Sequence, residues 1–139
     1  MAEMKFEKPG FYPPLVLAYI GDAVYEVYVR SRIISEHSDM PPHKLHVQSI
    51  KYVKAHAQSN AVNALEGILT EQETSIYKRG RNSKSATVPK NADVSDYRRA
   101  TGLEALIGYL YLNGEQPRLE EIMKIAYENS MDNTPDKNH

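Results

Sequence analysis

Residues 12–29 read YPPLVLAYIGDAVYEVYV, and Asp22 and Glu26 are the only charged residues among them. The proline pair at 13–14 suits the first turn of a helix, where the amide hydrogen that proline lacks would have no partner. Apolar residues then follow on almost every side of the helical wheel, which is typical of a buried helix. The stretch therefore predicts a long first helix, over about residues 13–34, within a helical fold.

The remaining chain has weak strand signals and predicts four further helices. Their expected spans are about 43–65, 70–80, 95–112 and 117–129. Two local signals support these bounds, because Thr70 and Glu73 have capping-box spacing and Asn113-Gly114 is typical of a helix end. A polar loop over residues 81–92 separates the third and fourth helices. The predicted fold class is all-α.

The chain of 139 residues predicts one main domain over residues 12–130, with an N-terminal arm (1–11) and a disordered tail (131–139). It has no cysteine, which excludes disulfides and thiolate zinc sites. No apolar run reaches the roughly 18 residues that a membrane span requires, and residues 1–10 lack the apolar region of a signal peptide. We therefore expect a cytoplasmic protein with no membrane partner.

Basic residues are concentrated in one segment of the chain. The net charge is −1, yet seven basic and only two acidic residues lie between Lys78 and Arg99. Such a segment can dock a polyanion even on an otherwise acidic chain. Charge alone favours a solvated loop over a docking surface, so both interpretations stay open at this point.

Asp22 is the first residue that needs a chemical explanation. At about 100° per residue, Asp22, Glu26 and Arg30 share one face of the first helix, opposite an apolar face. A buried carboxylate needs a metal ion, a cation or a dense hydrogen-bond network, because desolvating its charge is costly. An ion pair with Arg30, Arg98 or Arg99 would meet this need, and an exposed polar stripe would remove it. Spacing alone favours these two structural interpretations over a metal site.

Glu104 is the second such residue, and it lies at the border of the apolar arc of the fourth helix. Gly108 follows one turn later. A glycine inside a helix lowers helix stability by about 1 kcal/mol relative to alanine, so close packing of another helix backbone would explain why glycine stands there. Gly21 precedes Asp22 in the first helix. A crossing at Gly21 and Gly108 would bring Asp22 and Glu104 together, and converging carboxylates favour a hard cation such as Mg²⁺ between them.

The motifs around these residues resemble those of a known nuclease family. Residues 17–24 (LAYIGDAV) resemble the signature helix of ribonuclease III nuclease domains, and residues 104–112 (EALIGYLYL) resemble that family's second acidic helix. Residues 78–82 (KRGRN) and 89–93 (PKNAD) resemble the intervening loop of the Mini-ribonuclease III branch. The match covers about residues 12–130, with the motifs in the family's order and separation.

The resemblance implies a ribonuclease III endonuclease-domain fold that acts as a homodimer. It also implies Mg²⁺-dependent hydrolysis of double-stranded RNA, which leaves 5′-phosphate and 3′-hydroxyl ends. The implied role is maturation of precursor large-subunit ribosomal RNA, for which a ribosomal protein is a candidate helper. By motif position, Asp22 and Glu104 match catalytic carboxylates of the family and would both ligate the metal.

The basic segment is easier to interpret beside this resemblance. A-form RNA presents phosphates and 2′-hydroxyls across a shallow minor groove, which basic and amide side chains contact without reading sequence. The residues expected to contact RNA are Lys78, Arg79, Arg81, Asn82, Lys84 and Lys90. We expect no separate double-stranded-RNA-binding domain, as in the Mini branch, so this segment would supply much of the affinity.

The chain departs from full-length ribonuclease III enzymes at two positions. Ala18 stands where those enzymes have a glutamate, and Thr101 stands where they have an aspartate. A site with Asp22 and Glu104 alone would hold Mg²⁺ weakly, with several waters. Glu26 lies one turn past Asp22 and would add a ligand, or else it pairs with Arg30, and the sequence favours neither role.

Two other functions compete with an endonuclease. The first is a non-catalytic RNA-binding module on the same fold. The two carboxylates argue against it, because a protein that only binds RNA gains nothing from negative charges that face the phosphates. The second is a helical nucleotide pyrophosphohydrolase. That class needs clustered Glu-x-x-Glu and Glu-x-x-Asp pairs on facing helices, and the acidic pair Glu120-Glu121 does not supply them.

Overall fold

The computed structural model describes residues 3–83, 88, 90 and 93–132. These residues form six α-helices and one short 3-10 helix (Pro9–Phe11), with no strand among them. The helices are α1 (Pro14–Glu36), α2 (Pro42–Val53), α3 (Ala55–Leu65), α4 (Glu71–Arg81), α5 (Val94–Leu112) and α6 (Gln116–Glu128). The predicted all-α class is confirmed. None of the helices in the described part of the chain combines the length and apolar character needed to cross a membrane.

Helix α5 is the centre of the fold. Helices α1, α3 and α4 pack directly on it, and α6 closes the core beside α3. Leu103, Leu106 and Ile107 of α5 have no solvent exposure, because neighbouring helices cover almost every side of their helix. The fold therefore surrounds the helix that carries Glu104.

Helix α1 has one buried face and one exposed face. Leu17, Tyr25 and Val29 are buried against the core, whereas Tyr19 and Val27 on the outer face are 81% and 66% exposed. The expectation that this helix is buried on most sides is therefore wrong for the single chain. No described helix of the same chain covers the outer face, although its side chains are apolar.

The second predicted helix is divided into two. Lys54 has an extended backbone (φ −63°, ψ 154°) and serves as both the C-cap of α2 and the N-cap of α3. Neither proline nor glycine marks this break in the sequence. Tertiary packing explains it, because α2 lies against α1 while α3 turns to pack along α5 and α6. The Gln58 side chain donates to the carbonyl of Val53 at 2.9 Å and so satisfies a backbone acceptor beside the break.

The predicted capping box at α4 is confirmed. The Glu73 amide donates to Thr70 Oγ1 at 3.1 Å, and the Thr70 amide donates to Glu73 Oε1 at 2.9 Å. Arg118 of α6 adds two charge-assisted bonds to the buried Glu73 carboxylate, at 2.9 and 2.7 Å. This hydrogen-bonded pair lowers the pKa of Glu73, although burial opposes the effect. The ends of α4 and α6 are thereby held together.

The predicted helix end at Asn113-Gly114 is also present, and Gly114 has the positive φ of 71° that glycine tolerates best. After α6, Asp132 accepts a hydrogen bond from Asn60 at 2.9 Å. Residues 133–139 of the predicted tail lie outside the described residues. The domain limits stay predictions from the sequence.

Candidate active site

Helices α1 and α5 cross at two glycines, as the sequence predicts. A Cβ built on Gly21 would lie 1.8 Å from the carbonyl oxygen of Glu104, and one built on Gly108 would lie 1.9 Å from that of Leu17. Both values are far inside van der Waals contact, so only glycine permits this approach of the two backbones. The crossing fixes the position of Asp22 relative to Glu104.

Asp22 and Glu104 meet at this crossing. Asp22 is exposed and Glu104 is half-buried, and their carboxyl groups lie within hydrogen-bonding distance of each other. Burial, followed by the charge of Asp22 and the hydrogen bond to it, raises the pKa of Glu104 to about 8. Near neutral pH, the pair therefore holds a proton unless a cation compensates for the second negative charge.

Glu26 lies close enough for its charge to raise the pKa of Glu104 further. Its carboxylate also accepts a hydrogen bond from Arg30 Nε at 3.1 Å, so the alternative of an Arg30 partner is observed. Arg99 is engaged elsewhere, with Glu66, the residue that follows α3. Asp22 has no ion pair with any residue that the structure describes, so the structural ion pair considered from the sequence is not found there.

Gln58 is a site residue that the sequence reasoning missed. It is only 2% exposed, and its Nε2 donates to Glu104 Oε2 at 3.4 Å. This hydrogen bond lowers the pKa of Glu104 and so opposes the effect of burial. Gln58 follows a break that the sequence does not mark, and no motif around it suggests chemistry. Its pairing with Glu104 becomes visible only in three dimensions.

The oxygen donors at the crossing could hold a hard cation. Within the described ranges, no group of three or more His, Asp and Glu side chains is arranged to bind a metal ion. Asp22 and Glu104 nevertheless supply two converging carboxyl groups. Gln58 Oε1 is a buried acceptor that has no hydrogen-bond partner in this part of the chain. This donor set fits a weakly held Mg²⁺ that keeps most of its waters.

The predicted RNA-contacting residues lie at the end of α4 and in the segment that follows it. Lys78, Arg79 and Arg81 lie on the last turn of α4, so the polar loop begins after Arg81 rather than at it. Lys78, Arg79, Asn82 and Lys90 are exposed, whereas Arg81 is half-buried with its guanidinium 5.7 Å from the centre of the Tyr77 ring. Lys84 lies outside the described residues.

Two further arginines of the basic segment line a cleft beside these residues. The cleft has a volume of about 490 Å³, and its lining includes Arg98 and Arg99 from α5, Arg81 from α4 and Asn82, which follows α4. Arg99 is held in place by Ser59 at 3.0 Å and by Asn63, whereas Arg98 is exposed. Both arginines belong to the basic segment of the sequence, but their place beside α4 is visible only in the structure.

Comparison with known proteins places the chain in a family. The family model of the ribonuclease III domain matches residues 15–115. A Mini-ribonuclease 3 from Clostridium tetani is 54% identical over 86% of this chain and 82% of its own length. The chain belongs to the Mini-ribonuclease III family. A Mini-ribonuclease 3 from Thermoanaerobacter is 50% identical over 81% of this chain and 79% of its own length.

A solved structure supports the same fold. The crystal structure of a Fusobacterium nucleatum protein superposes with a TM-score of 0.78, at 28% identity, and covers 91% of this chain and all of that chain. The predicted ribonuclease III fold is therefore confirmed. Because the chain belongs to the Mini-ribonuclease III family, it is an endoribonuclease.

The two departures from full-length ribonuclease III enzymes lie next to the site. Ala18 is one turn before Asp22 and is 7% exposed, and Thr101 is one turn before Glu104 and is 8% exposed. Thr101 Oγ1 donates to the carbonyl of Tyr97 at 3.0 Å. Neither side chain provides a carboxylate, so neither adds an acidic ligand to the pair at the crossing.

A large apolar groove lies away from Asp22 and Glu104. It has a volume of about 710 Å³ and is formed by α1, α6 and the end of α5, with Val24, Val27, Leu119 and Met123 in its lining. The α1 residues of the groove belong to the face opposite Asp22 and Glu26. The apolar lining suits a protein surface better than it suits the phosphates of a nucleic acid.

Proposed function

We propose that this protein is a homodimeric, Mg²⁺-dependent endoribonuclease that hydrolyses double-stranded RNA and matures precursor large-subunit ribosomal RNA. Asp22 and Glu104 are its catalytic carboxylates and metal ligands. The last turn of α4 and the segment that follows it bind the RNA. The observation that carries the proposal is the convergence of Asp22 and Glu104 where α1 and α5 cross.

The chemistry follows from the donor set. A bound Mg²⁺ supplies positive charge for the phosphodiester oxygens and a water whose pKa is lowered toward neutrality. Asp22 presents its carboxylate at the surface, where a phosphate group can approach, whereas Glu104 is half-buried and held by Gln58. The close contact of the two helices keeps both carboxylates in fixed positions, so little rearrangement precedes the reaction. Hydrolysis leaves 5′-phosphate and 3′-hydroxyl ends.

The RNA-binding part of the proposal rests on charge and exposure. Lys78, Arg79, Asn82 and Lys90 are exposed, and Arg81 borders the cleft that Arg98 and Arg99 also line. Lys84 is included from the sequence. The net charge of the chain is −1, so a polyanion is attracted to this local surface rather than to the molecule as a whole. Contacts to phosphate and 2′-hydroxyl groups select duplex geometry rather than a base sequence.

The dimer is supported by the uncovered apolar face of α1. Val27 and Ile34 are 66% and 57% exposed, and Val27 also lines the apolar groove. Contiguous exposed apolar surface of this kind marks an interaction site. A second copy related by a two-fold axis would cover the same face on both chains. Two such copies would also bring two carboxylate sites to one duplex, one for each strand.

A cleavage assay tests the proposal. Purified protein is incubated with a uniform RNA duplex, with the matching single strand, and with a duplex from precursor large-subunit ribosomal RNA. Each substrate is tested with Mg²⁺ and with excess EDTA. The expected result is Mg²⁺-dependent cleavage of both duplexes, with fragments that carry 5′-phosphates. Binding of the duplex without cleavage under all conditions would instead support a non-catalytic RNA-binding module.

A further inference from the structure

Gln58 occupies an unusual position beside the catalytic carboxylates. Its side chain is buried at the start of α3, and both hydrogens of its amide have acceptors. One Nε2–H group points to the carbonyl of Val53 at 2.9 Å, and the other points to Glu104 Oε2 at 3.4 Å. The remaining polar atom, Oε1, is buried without a hydrogen-bond partner among the described residues.

The orientation of this amide is fixed by its neighbours. If the amide were turned over, Oε1 would face two oxygen acceptors, the carbonyl of Val53 and the carboxylate of Glu104. That arrangement would replace two hydrogen bonds with two repulsive contacts. The observed orientation therefore leaves Oε1 as the acceptor that needs a partner. Buried polar atoms in folded proteins nearly always have one, and water or an ion supplies it where the protein does not.

We propose that Gln58 is a positioning residue for the metal site. Its Nε2 orients the Glu104 carboxylate, and its Oε1 accepts a hydrogen bond from a water molecule in the coordination shell of the divalent ion. The inference rests on the proposed function, since it presumes an ion at Asp22 and Glu104. It assigns a role to a residue that carries no charge and lies outside the acidic motifs.

A purely structural role for Gln58 would look different. Capping the Val53 carbonyl at the break after α2 requires one amide hydrogen and no acceptor. It would not require a second donor directed at the carboxylate of another helix, nor a buried oxygen beside it. A structural role also predicts that substitution lowers stability without changing metal binding, so the two roles can be separated experimentally.

The test compares Gln58→Met with Gln58→Glu and with wild type. Methionine has a similar length but neither hydrogen bond, whereas glutamate keeps an oxygen acceptor but puts a second oxygen in place of the Nε2 donor. Gln48→Met is the matched control, because Gln48 is a half-buried glutamine on α2. Mn²⁺ binding without RNA is followed from the electron paramagnetic resonance signal of free Mn²⁺. The Mg²⁺ concentration for half-maximal cleavage and the thermal midpoint of the metal-free protein are measured in parallel.

Gln58→Met should weaken Mn²⁺ binding and raise the half-maximal Mg²⁺ concentration by about tenfold, as is usual for groups that hold metal ligands in place. Gln58→Glu should also bind Mn²⁺ more weakly than wild type, because an oxygen then replaces the Nε2 donor that orients Glu104, and Gln48→Met should match wild type in both measurements. Wild-type Mn²⁺ binding and Mg²⁺ dependence in Gln58→Met would overturn the proposal. If Gln58→Met does not fold, Gln58→Glu decides, because wild-type Mn²⁺ binding and wild-type Mg²⁺ dependence in that variant would overturn it.

A further variant separates this inference from the proposed function. Asp22→Asn should lose most of the Mn²⁺ binding. If Asp22→Asn loses binding and Gln58→Met does not, the role of Gln58 is wrong and the carboxylate site stands. If Asp22→Asn binds Mn²⁺ and cleaves duplex RNA like wild type, the proposed function itself is wrong.

Discussion

Gly108→Ala is the substitution that tests how the fold creates the site. The added Cβ would lie 1.9 Å from the carbonyl oxygen of Leu17, whereas ordinary contact begins near 3.4 Å. The obstructing atom belongs to the backbone of α1, so no side-chain rotation relieves the overlap. The two helices must separate by about 1.5 Å, and this separation moves Asp22 away from Glu104.

Two opposing energies determine the effect on stability. Alanine favours a helix over glycine by about 1 kcal/mol, but overpacking a close contact costs about 1–3 kcal/mol and sometimes more. Because the clash is with backbone, the upper part of that range applies, and the free energy of unfolding should fall by about 2 kcal/mol. The effect on catalysis should be larger, because a displacement of about 1 Å at a reacting group can lower the rate about 100-fold.

The assay combines urea unfolding with single-turnover cleavage of an RNA duplex, at a temperature where the variant is still folded. Gly10→Ala is the matched control, because a Cβ at Gly10 meets no atom within 4 Å. The expected result is a Gly108→Ala protein that is folded and binds RNA but cleaves about 100-fold more slowly than wild type. Stability and cleavage both equal to those of Gly10→Ala would refute the argument that this crossing positions the carboxylates.

Three other predictions concern RNA binding, assembly and stability. Replacing the exposed Lys78 and Arg79 with alanine should weaken duplex binding and flatten its dependence on salt concentration by up to about two units, because fewer counterions are released. Val27→Glu should place a charge in the apolar groove of α1, so the mass measured by sedimentation equilibrium should fall from two chains to one. Glu73→Gln should lower the free energy of unfolding by about 2 kcal/mol at pH 7, because it removes a charge-assisted pair with Arg118. The pair with Arg118 lowers the pKa of Glu73 from the usual glutamate value of 4.5. The ion pair therefore stabilises the fold fully above that value, and its contribution is lost as the pH falls through the lower pKa of the folded state. The Glu73→Gln variant should lack this pH-dependent contribution.

Each of these predictions has a matched control at an exposed position. Lys44 and Lys51 of α2 together provide the control for the RNA-binding pair, and their replacement should leave the salt dependence unchanged. Val47→Glu, also on α2 and outside the groove, should remain dimeric. Glu71→Gln removes an acidic residue from the first turn of α4 without breaking the Arg118 pair, so its stability should change little. A control that behaves like its test variant would count against the corresponding interface or ion pair.

The convergence of Asp22 and Glu104 could be predicted from the sequence because its cause is local. Gly21 and Gly108 lie within one turn of the two carboxylates, and a glycine inside a helix needs a reason such as close backbone contact. The family motifs added the order of these residues and the catalytic role proposed for them. The capping box at Thr70 was predictable for the same reason, since both of its hydrogen bonds lie within three residues.

The break at Lys54 and the role of Gln58 could not be predicted in this way. A single residue in an extended conformation ends α2 without proline or glycine, and it does so because α3 gains contacts with α5 and α6 that are distant in sequence. Gln58 becomes a neighbour of Glu104 only through that change in direction. The exposed outer face of α1 was also misjudged, because an apolar helix surface does not reveal whether its own chain or another chain covers it.

Cleavage of a long RNA duplex by Glu104→Gln, compared with wild type and with the binding of the same duplex, tests the central claim most directly. The substitution keeps the shape of the side chain and removes the charge that would hold the cation. Glu104→Gln should fold and bind the duplex like wild type, but it should not cleave the duplex at Mg²⁺ concentrations that saturate wild type. Wild-type cleavage by the folded variant would contradict the claim that Glu104 and Asp22 together hold the catalytic metal ion.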